Sequence, residues 1–430
     1  MDFEMKKEIF PKNGLKGNFT VPGDKSISHR SVMLGSIASG DTEIYGFLMG
    51  ADCLSTIDCF RKMGINIDVT DEKVTVHGKG MYGLSSPSST LDVGNSGTTM
   101  RLITGLLSAQ DFNSNITGDS SIQKRPMNRV SIPLKEMGAE FEGEKDGKLF
   151  APFGIHGKKL KGIHYTLPVA SAQVKSALIL AGLYAEGETV ITEPEATRDH
   201  TEIMLNYLGA NIEHKDKDII CHPVKELYGK TIYVPGDISS AAYFMVAGAI
   251  CENSHIILKN IGINPTRTGI ITVLKNMGAD INILNEKTVC GELVADIEIK
   301  SSKLKGTVIE GDLIPKLIDE IPIIAVAATF AEGTTIIRNA EELKVKESNR
   351  IKTVKDELSK LGADITETDD GMIIKGVNSL KGAETESHND HRIAMSIAIA
   401  ALKCEGKTII NNSECVDISF PNFYHYIEEL

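Results

Sequence analysis

The sequence has no tryptophan, no long apolar run and no paired cysteine motif. Without a stretch of about 18 apolar residues, no membrane-spanning helix is expected. The first residues, MDFEMKKEIFPKNG, lack the apolar segment of a signal peptide. Seven cysteines are an odd number, and none forms a CxxC pair. This pattern is typical of reduced thiols, so we expect a cytoplasmic protein.

Several ligand classes are also disfavoured. The net charge of −12 argues against a nucleic-acid partner. The chain has no GxxxxGK[ST] loop, no dinucleotide fingerprint, no HExxH and no Cys/His cluster. We therefore expect no organic cofactor, no bound metal and no membrane partner, and a monomer is the simplest expectation. An acidic protein still binds small anions where its bases gather in one cleft.

What the chain does contain is one pattern repeated six times. Each copy has a polar turn, a helix of small apolar residues, a short turn and a β-branched strand. Because these helices are apolar on nearly all sides, we expect them to be buried. The predicted helices are Ser26–Ser39, Asn95–Gln110, Ser171–Ala185, Ser239–Ile250, Leu317–Ala331 and Asn389–Lys403.

A second helix follows each of the first five copies and stops at a glycine. Glycine just beyond a helix end favours a left-handed cap. The spacing of these glycines gives a unit of about 75 residues, which is longer than a solenoid repeat. The five stop positions are Gly64, Gly138, Gly209, Gly278 and Gly362.

The length of 430 residues predicts two domains rather than one core. The identical turns Val21-Pro-Gly-Asp and Val234-Pro-Gly-Asp are the best candidates for the two crossovers. They place residues 22–237 in one domain, and residues 1–21 with 238–430 in the other. We predict an α/β fold in which each domain holds three units, with helices inside and strands outside.

Basic side chains concentrate at the polar turns that begin the buried helices. Helix N-termini attract anions, and Ser hydroxyls and Arg guanidinium groups strengthen such sites. The pattern therefore predicts a cleft for small phosphate or carboxylate ligands. Lys346 and Arg350, four residues apart, are predicted to share a helix face. Asp319 and Glu347 stand among these bases, either as proton acceptors or as a helix cap and a helix ion pair.

An ordered set of motifs resembles the enolpyruvyl transferase family. The runs are PGDKSISHRS, GNSGTTMRL, KRPM, ASAQVKSALILAGL, IDEIPIIA, KVKESNRI, NDHRIAM and SFPNF, which lie between residues 22 and 423. They are most similar to the branch that acts on shikimate 3-phosphate. The resemblance implies two inside-out α/β enolpyruvyl transferase domains, each with three βαβαββ repeats, joined by a two-strand hinge. It also implies enolpyruvyl transfer from phosphoenolpyruvate with release of phosphate, and competition by glyphosate.

The resemblance further implies roles for individual residues. Those that contact shikimate 3-phosphate would be Lys25, Ser26, Arg30, Ser171, Gln173, Arg198, Asp319 and Lys346. Those that hold phosphoenolpyruvate would be Lys25, Asn95, Gly97, Arg125, Arg350 and Arg392. Asp319 would take the hydroxyl proton, and Glu347 or Lys25 would deliver the other proton.

Two departures from the family pattern and two alternatives remain. Ala172 stands where many members have a second serine, and Ile418 where some have a lysine. A sister enzyme that acts on UDP-N-acetylglucosamine uses a reactive cysteine in a mobile loop, but the matching residues 118–127 contain none. A non-catalytic anion-binding scaffold would give Asp319 and Glu347 no role.

Overall fold

The computed structural model describes residues 5–430, a chain in which buried helices alternate with short, partly buried sheets. Among these residues, no helix is long and apolar enough to cross a membrane. The α-helices are α1 (Lys25–Ser36), α2 (Ala51–Lys62), α3 (Gly97–Ser108), α4 (Asn128–Glu136), α5 (Ala172–Gly182), α6 (His200–Tyr207), α7 (Ile238–Ile250), α8 (Gly269–Asn276), α9 (Ile321–Thr329), α10 (Arg350–Lys360), α11 (His391–Ala401) and α12 (Phe423–Glu429). Short 3-10 helices cover Ile122–Lys124, Gly311–Lys316, Ile318–Glu320, Glu341–Val345 and Ser413–Ile418.

The six small-residue helices form the interior, as predicted. Every residue of α7, α9 and α11 is buried, and α1, α3 and α5 are buried over most of their length. Such helices need no polar outer face because neighbouring elements cover them on all sides. Five begin with a side chain that accepts a hydrogen bond from a backbone N–H of the first turn. These caps are Asp24, Ser96, Ser171, Asp237 and Asp390.

The glycine stops are also confirmed. All five have a positive φ, between 86° and 106°, two residues beyond the last residue of their helix. A residue with a Cβ is strained in this left-handed region, so glycine ends the helix at little cost. The chain then turns directly into the next strand, which keeps helix and strand adjacent in the first five units.

Six sheets accompany the six units, and each contains a parallel pair next to an antiparallel pair. In bonding order, one four-stranded sheet contains His164–Thr166, Thr189–Thr192, Asp218–Cys221 and Ile212–Lys215. A second contains Ile232–Tyr233, Ser39–Tyr45, Lys73–Lys79 and Asn66–Val69. A third contains Leu91–Asp92, Asn113–Thr117, Phe153–His156 and Glu140–Glu142. Two more contain Asp280–Val289, Glu292–Lys300, His255–Gly262 and Lys16–Phe19; and Val308–Ile309, Thr334–Ile337, Met372–Lys375 and Asp364–Glu367.

The sixth sheet has three strands, Lys7–Ile9, Thr408–Asn411 and Glu384–Glu386. Its antiparallel partner, Lys7–Ile9, comes from the start of the chain rather than from the sixth unit itself. The first strand therefore completes the last repeat. A separate two-stranded ladder joins Leu380–Lys381 to Cys404–Glu405.

Contacts divide the chain into two compact units. Unit 1 contains the chain up to Pro22, Pro235–Thr288 and Leu293–Leu430, and unit 2 contains Gly23–Val234 with Val289–Glu292. The chain thus changes unit inside each of the two matched Val-Pro-Gly-Asp turns. At Gly23 a Cβ would lie 1.9 Å from the carbonyl oxygen of Gly46, so the backbone there passes too close for any side chain. The sequence carries no signal for the grouping of residues 289–292 with unit 2.

Candidate active site

In unit 2, the first functional group is the amine of Lys25 at the start of α1. Asp24 caps this helix by accepting from the backbone N–H of Ile27 at 2.9 Å. The Lys25 ammonium pairs with Asp52, in the first turn of α2, at 3.0 Å. The pair with Asp52 fixes the position of the amine. Because the Lys25 side chain is still 22% exposed, a ligand can reach it. Asp52 is a partner that the sequence analysis missed.

Arg30 lies one turn further along α1 and is 4% exposed. Its guanidinium donates to the hydroxyls of Thr201 at 2.7 Å and Ser176 at 2.9 Å, and to the carbonyl of Ser26 at 3.0 Å. Burial lowers the pKa of Arg30 to about 10, and the positive charge of Arg198 contributes to this shift. Two guanidinium groups are therefore near enough to repel each other, which favours an anion beside them.

The start of α3 brings Gly97 against two further arginines. A Cβ on Gly97 would lie 2.6 Å from Nη1 of Arg101 and 3.4 Å from Nη1 of Arg125. Arg125 follows a 3-10 turn, and its Nη2 donates to the Ser121 hydroxyl at 3.3 Å. Asn95 lies in the turn just before this helix. A glycine at the helix start leaves room for both guanidinium groups beside the first backbone N–H groups of the helix.

The start of α5 holds Ser171 and Gln173. The Ser171 hydroxyl accepts from the backbone N–H of Val174, so its own proton remains available for donation. Both ends of the Gln173 amide are fixed: Oε1 accepts from Arg101 at 2.7 Å and Nε2 donates to Thr98 at 3.1 Å. Arg101 is the arginine of the GNSGTTMRL run, and nothing in the sequence indicates its contact with Gln173.

A buried chain of polar side chains ties the starts of α1 and α3 to α2. Nδ1 of His29 contacts the Thr56 hydroxyl at 2.7 Å, and Thr56 contacts the Thr99 hydroxyl at 2.7 Å. Thr99 in turn contacts the Ser96 hydroxyl at 2.7 Å. Burial lowers the pKa of His29 to about 3, although Asp52 acts in the opposite direction. The imidazole is thus neutral at pH 7 and serves as a fixed structural link.

In unit 1, Arg350 is the centre of a dense cluster of charged groups. It is 1% exposed. Its Nη1 lies 3.4 Å from Oδ1 of Asp319, and its Nη2 lies 2.5 Å from Oε2 of Glu347. Lys346 lies 3.5 Å from the same oxygen of Asp319. One guanidinium group therefore touches both carboxylates that the sequence predicts to move protons.

Asp390 holds Arg350 in place from the other side. Its carboxylate accepts from Nε of Arg350 at 2.9 Å and from Nη2 at 3.2 Å, and it also caps α11 through the backbone N–H of Arg392. Burial disfavours the charge on Arg350, but Asp390 and Glu347 outweigh burial and raise its pKa. Burial likewise opposes the charge on Asp390, but Arg350 outweighs it and lowers the pKa of that carboxyl.

Arg392 lies in the first turn of α11 and is 8% exposed. Its Nη1 is 3.9 Å from Glu320, a fully buried carboxylate that accepts a hydrogen bond from the Ser239 hydroxyl. Burial is the largest single influence and disfavours its charge, but Asp319, Tyr243 and Glu320 together outweigh burial, so the pKa of Arg392 rises. Arg392 therefore stays a cation, with Glu320 beside it.

Two predictions made from spacing need correction. Lys346 and Arg350 do not share a helix face, because α10 begins at Arg350 and Lys346 has an extended backbone outside it. Both still reach Asp319, since the loop folds back over the turn that carries this residue. Asp319 is not a helix cap either: it lies in the 3-10 turn Ile318–Glu320 that precedes α9.

The two units thus present different chemistry. The unit 2 helix starts combine hydroxyl groups, backbone N–H groups and guanidinium groups, which suits phosphate and carboxylate binding. The unit 1 cluster interleaves carboxylates with Arg350, Lys346 and Arg392, which suits proton transfer next to a bound anion. Among residues 5–430, no group of three or more His, Cys, Asp or Glu side chains is placed to hold a metal ion.

Comparisons with known proteins agree with this chemistry. A family model described as EPSP synthase (3-phosphoshikimate 1-carboxyvinyltransferase) matches residues 9–427. A protein from Thermoanaerobacter sp. (strain X514) named 3-phosphoshikimate 1-carboxyvinyltransferase is 56% identical over 430 residues, all of both chains. One of the same name from Bacillus cereus (strain B4264) is 56% identical over 97% of both chains. A solved EPSP synthase from Acinetobacter baumannii is 50% identical with a TM-score of 0.89, covering 99% of this chain and 98% of that one.

Proposed function

The chain belongs to the EPSP synthase family. From this premise we propose that two polar clusters, the helix starts of unit 2 and the charged groups around Arg350 in unit 1, bind and transform the family's substrates. It transfers the enolpyruvyl group of phosphoenolpyruvate to the 5-hydroxyl of shikimate 3-phosphate and releases phosphate. It is a transferase of the shikimate pathway, which leads to chorismate and the aromatic amino acids.

Shikimate 3-phosphate is assigned first to the unit 2 helix starts. The nearby charges of Arg30 and Arg198 favour an anion beside them, so we place the phosphate there. The hydroxyl of Ser171 and the fixed amide of Gln173 supply directed donors to the same ligand. The full proposed set is Lys25, Ser26, Arg30, Ser171, Gln173, Arg198, Asp319 and Lys346.

Phosphoenolpyruvate is assigned to the other arginines. Arg125 and the α3 start at Gly97 suit its phosphate, since backbone N–H groups and a guanidinium meet there. Arg350 and Arg392 suit its carboxylate, because both remain charged although they are buried. The full proposed set is Lys25, Asn95, Gly97, Arg125, Arg350 and Arg392.

The proton steps fall to Asp319, Glu347 and Lys25. Asp319 takes the proton of the 5-hydroxyl while the hydroxyl oxygen forms a bond to the enol carbon of phosphoenolpyruvate. Glu347 or Lys25 gives a proton to the methylene carbon, which becomes a methyl group in a tetrahedral intermediate. Loss of one methyl proton then restores the carbon–carbon double bond as the carbon–oxygen bond to phosphate breaks. The surrounding cations stabilise the negative charge on the departing phosphate.

One observation carries this assignment: Arg350 contacts both Asp319 and Glu347. A scaffold that merely bound anions would have no need to hold two carboxylates beside its cations, because they weaken anion binding. The loop of residues 118–127 has no cysteine, which disfavours transfer to UDP-N-acetylglucosamine. Ala172 and Ile418 remove two contacts that other family members have, but neither replaces a proposed acid or base.

Paired arginine substitutions test the assignment of the two substrates. Arg198→Ala should raise the KM for shikimate 3-phosphate at least about tenfold and change the KM for phosphoenolpyruvate little, because it removes one charged contact. Arg125→Ala should do the reverse. Steady-state kinetics with each substrate varied would show this, and Arg338→Ala, an exposed arginine paired with Glu310, is a matched control. Equal effects on both KM values would contradict the assignment.

We also propose that the protein is a monomer in the cytoplasm. None of the seven cysteines, which all lie within residues 5–430, forms a disulfide, and six of them are buried. Burial raises the pKa of Cys59, Cys221 and Cys251 to about 12, which keeps these thiols protonated and unreactive. Light scattering after size exclusion should give a single species of 46.6 kDa. A mass near twice that value would contradict the monomer.

A further inference from the structure

The side chain of Lys175 is fully buried in unit 2 and has no assigned role. It lies on α5, four residues after Ser171 and two residues after Gln173. Its ammonium donates to Oε2 of Glu193 at 3.1 Å and to the carbonyl of Thr197 at 3.3 Å, and it lies 2.7 Å from Oε1 of Glu202. A buried ammonium is costly unless it finds acceptors and opposite charge, and two hydrogen bonds and the adjacent Glu202 carboxylate provide them.

These partners lie on both sides of Arg198 in the sequence. Glu193 and Thr197 precede it, and Glu202 follows it in the first turn of α6. The Thr197 hydroxyl also donates to Glu193, which closes the segment on itself. Lys175 therefore fastens residues 193–202 to α5 both before and after Arg198.

Arg198 lies in a segment that contacts Arg30, a residue of the same charge. Arg30 donates to the hydroxyl of Thr201, three residues after Arg198, at 2.7 Å, and the charge of Arg198 contributes to the lowered pKa of Arg30. The hydrogen bond from Arg30 to Thr201 holds this segment on the side after Arg198, and Lys175 holds Glu193 and Thr197 on the side before it. Both attachments keep Arg198 beside Arg30 against the repulsion between their charges.

We propose that Lys175 is a positioning residue for phosphate recognition, which keeps Arg198 beside Arg30 before shikimate 3-phosphate arrives. This inference rests on the proposed role of Arg198 in binding that phosphate. The support matters in this chain because Ala172 supplies no hydroxyl at the start of α5. Arg198 then carries a larger share of the phosphate contacts.

Two variants test the proposal. Lys175→Met removes the ammonium, and we expect the KM for shikimate 3-phosphate to rise about tenfold or more, with the KM for phosphoenolpyruvate changed less than about twofold and kcat within about threefold. Thr197→Val keeps the Lys175 ammonium and removes only the hydrogen bond from the Thr197 hydroxyl to Glu193. We therefore expect the KM for shikimate 3-phosphate to rise about threefold. Lys403→Met, a lysine of unit 1 that donates to the carbonyl of Ile250, is the matched control.

A double-mutant cycle separates positioning from general structural support. Once Arg198 is alanine, adding Lys175→Met should change the KM for shikimate 3-phosphate less than about twofold, since Lys175 acts through Arg198. A full further rise in that background, or equal rises for both substrates, would overturn the proposal. Thr197→Val decides the matter if Lys175→Met does not fold, and an unchanged KM in that variant would likewise overturn it. If Arg198→Ala alone left this KM unchanged, the assignment of Arg198 itself would fail.

Discussion

Replacing Asp319 by asparagine should abolish most turnover while leaving substrate binding largely intact. Asparagine keeps the shape and one acceptor oxygen but cannot take the hydroxyl proton. A positioned general base contributes about 10²–10⁴ in rate, so kcat should fall by that factor, which corresponds to about 3–5 kcal/mol of transition-state stabilisation. The KM for shikimate 3-phosphate should change less than about tenfold, since the lost interaction acts mainly in the transition state.

The structure indicates that this variant should stay folded. The contacts of Asp319 with Lys346 and Arg350 are 3.5 and 3.4 Å, longer than the roughly 2.7–2.9 Å of a strong charge-assisted hydrogen bond. Neutralising Asp319 should therefore lower Tm by only about a few degrees. Phosphate release with shikimate 3-phosphate varied is the assay, and Asp312→Asn, an exposed aspartate seven residues earlier, is the control. A kcat within tenfold of wild type, with KM raised a hundredfold, would refute the role of Asp319 as base.

Three further predictions concern other parts of the two clusters. Arg350→Lys should lower Tm and kcat/KM together, because a lysine cannot hold the three carboxylates that Arg350 contacts. Breaking a buried charge cluster costs about 3–5 kcal/mol of stability. Calorimetry together with kinetics would show this, and an unchanged Tm would contradict it. Gly97→Ala should raise the KM for phosphoenolpyruvate about tenfold with little change in Tm, because the new methyl group would crowd the helix start and Arg125, where its phosphate is proposed to bind. Equal kinetics for variant and wild type would contradict this. His29 has a folded pKa of about 3, below its unfolded value, so its contribution to stability is complete above about pH 6.5 and is lost as pH falls toward 3. Urea unfolding at pH 7 and pH 5 should show about 2 kcal/mol of this loss, absent in His29→Asn, and an equal loss in that variant would contradict the role of His29.

The repeat could be predicted from the sequence because its signals are local. Small apolar residues at every helix position, a polar cap before them and a glycine after the second helix each act within a few residues. The positive φ at Gly64 and its four equivalents follows directly from that chemistry. The matched turns at Val21 and Val234 likewise lie where the chain changes unit.

The contacts between side chains were harder to predict because they join distant segments. A spacing of four places Lys346 and Arg350 together on a helix or in a folded loop, and spacing alone does not decide between them. Asn349, which caps α10 by accepting from Lys352, was the local signal for a helix that starts after Lys346. Nothing near Lys25 in the sequence points to Asp52, which lies on the next helix.

Asp390 shows a further reason why some side-chain contacts could not be predicted from the sequence. It stands directly before a helix of small apolar residues, a position where aspartate commonly caps, and the cap is present. A carboxylate has two oxygens with several acceptor positions, so the same side chain also binds Arg350. Local propensity identifies one role of such a residue and does not reveal the second.

The most direct test of the central claim is phosphate release by the purified protein with phosphoenolpyruvate and one of two acceptors. Enolpyruvyl transfer to shikimate 3-phosphate predicts one phosphate released for each acceptor consumed, none when shikimate 3-phosphate is omitted, and none with UDP-N-acetylglucosamine. Release with UDP-N-acetylglucosamine, or no release with shikimate 3-phosphate, would contradict the account.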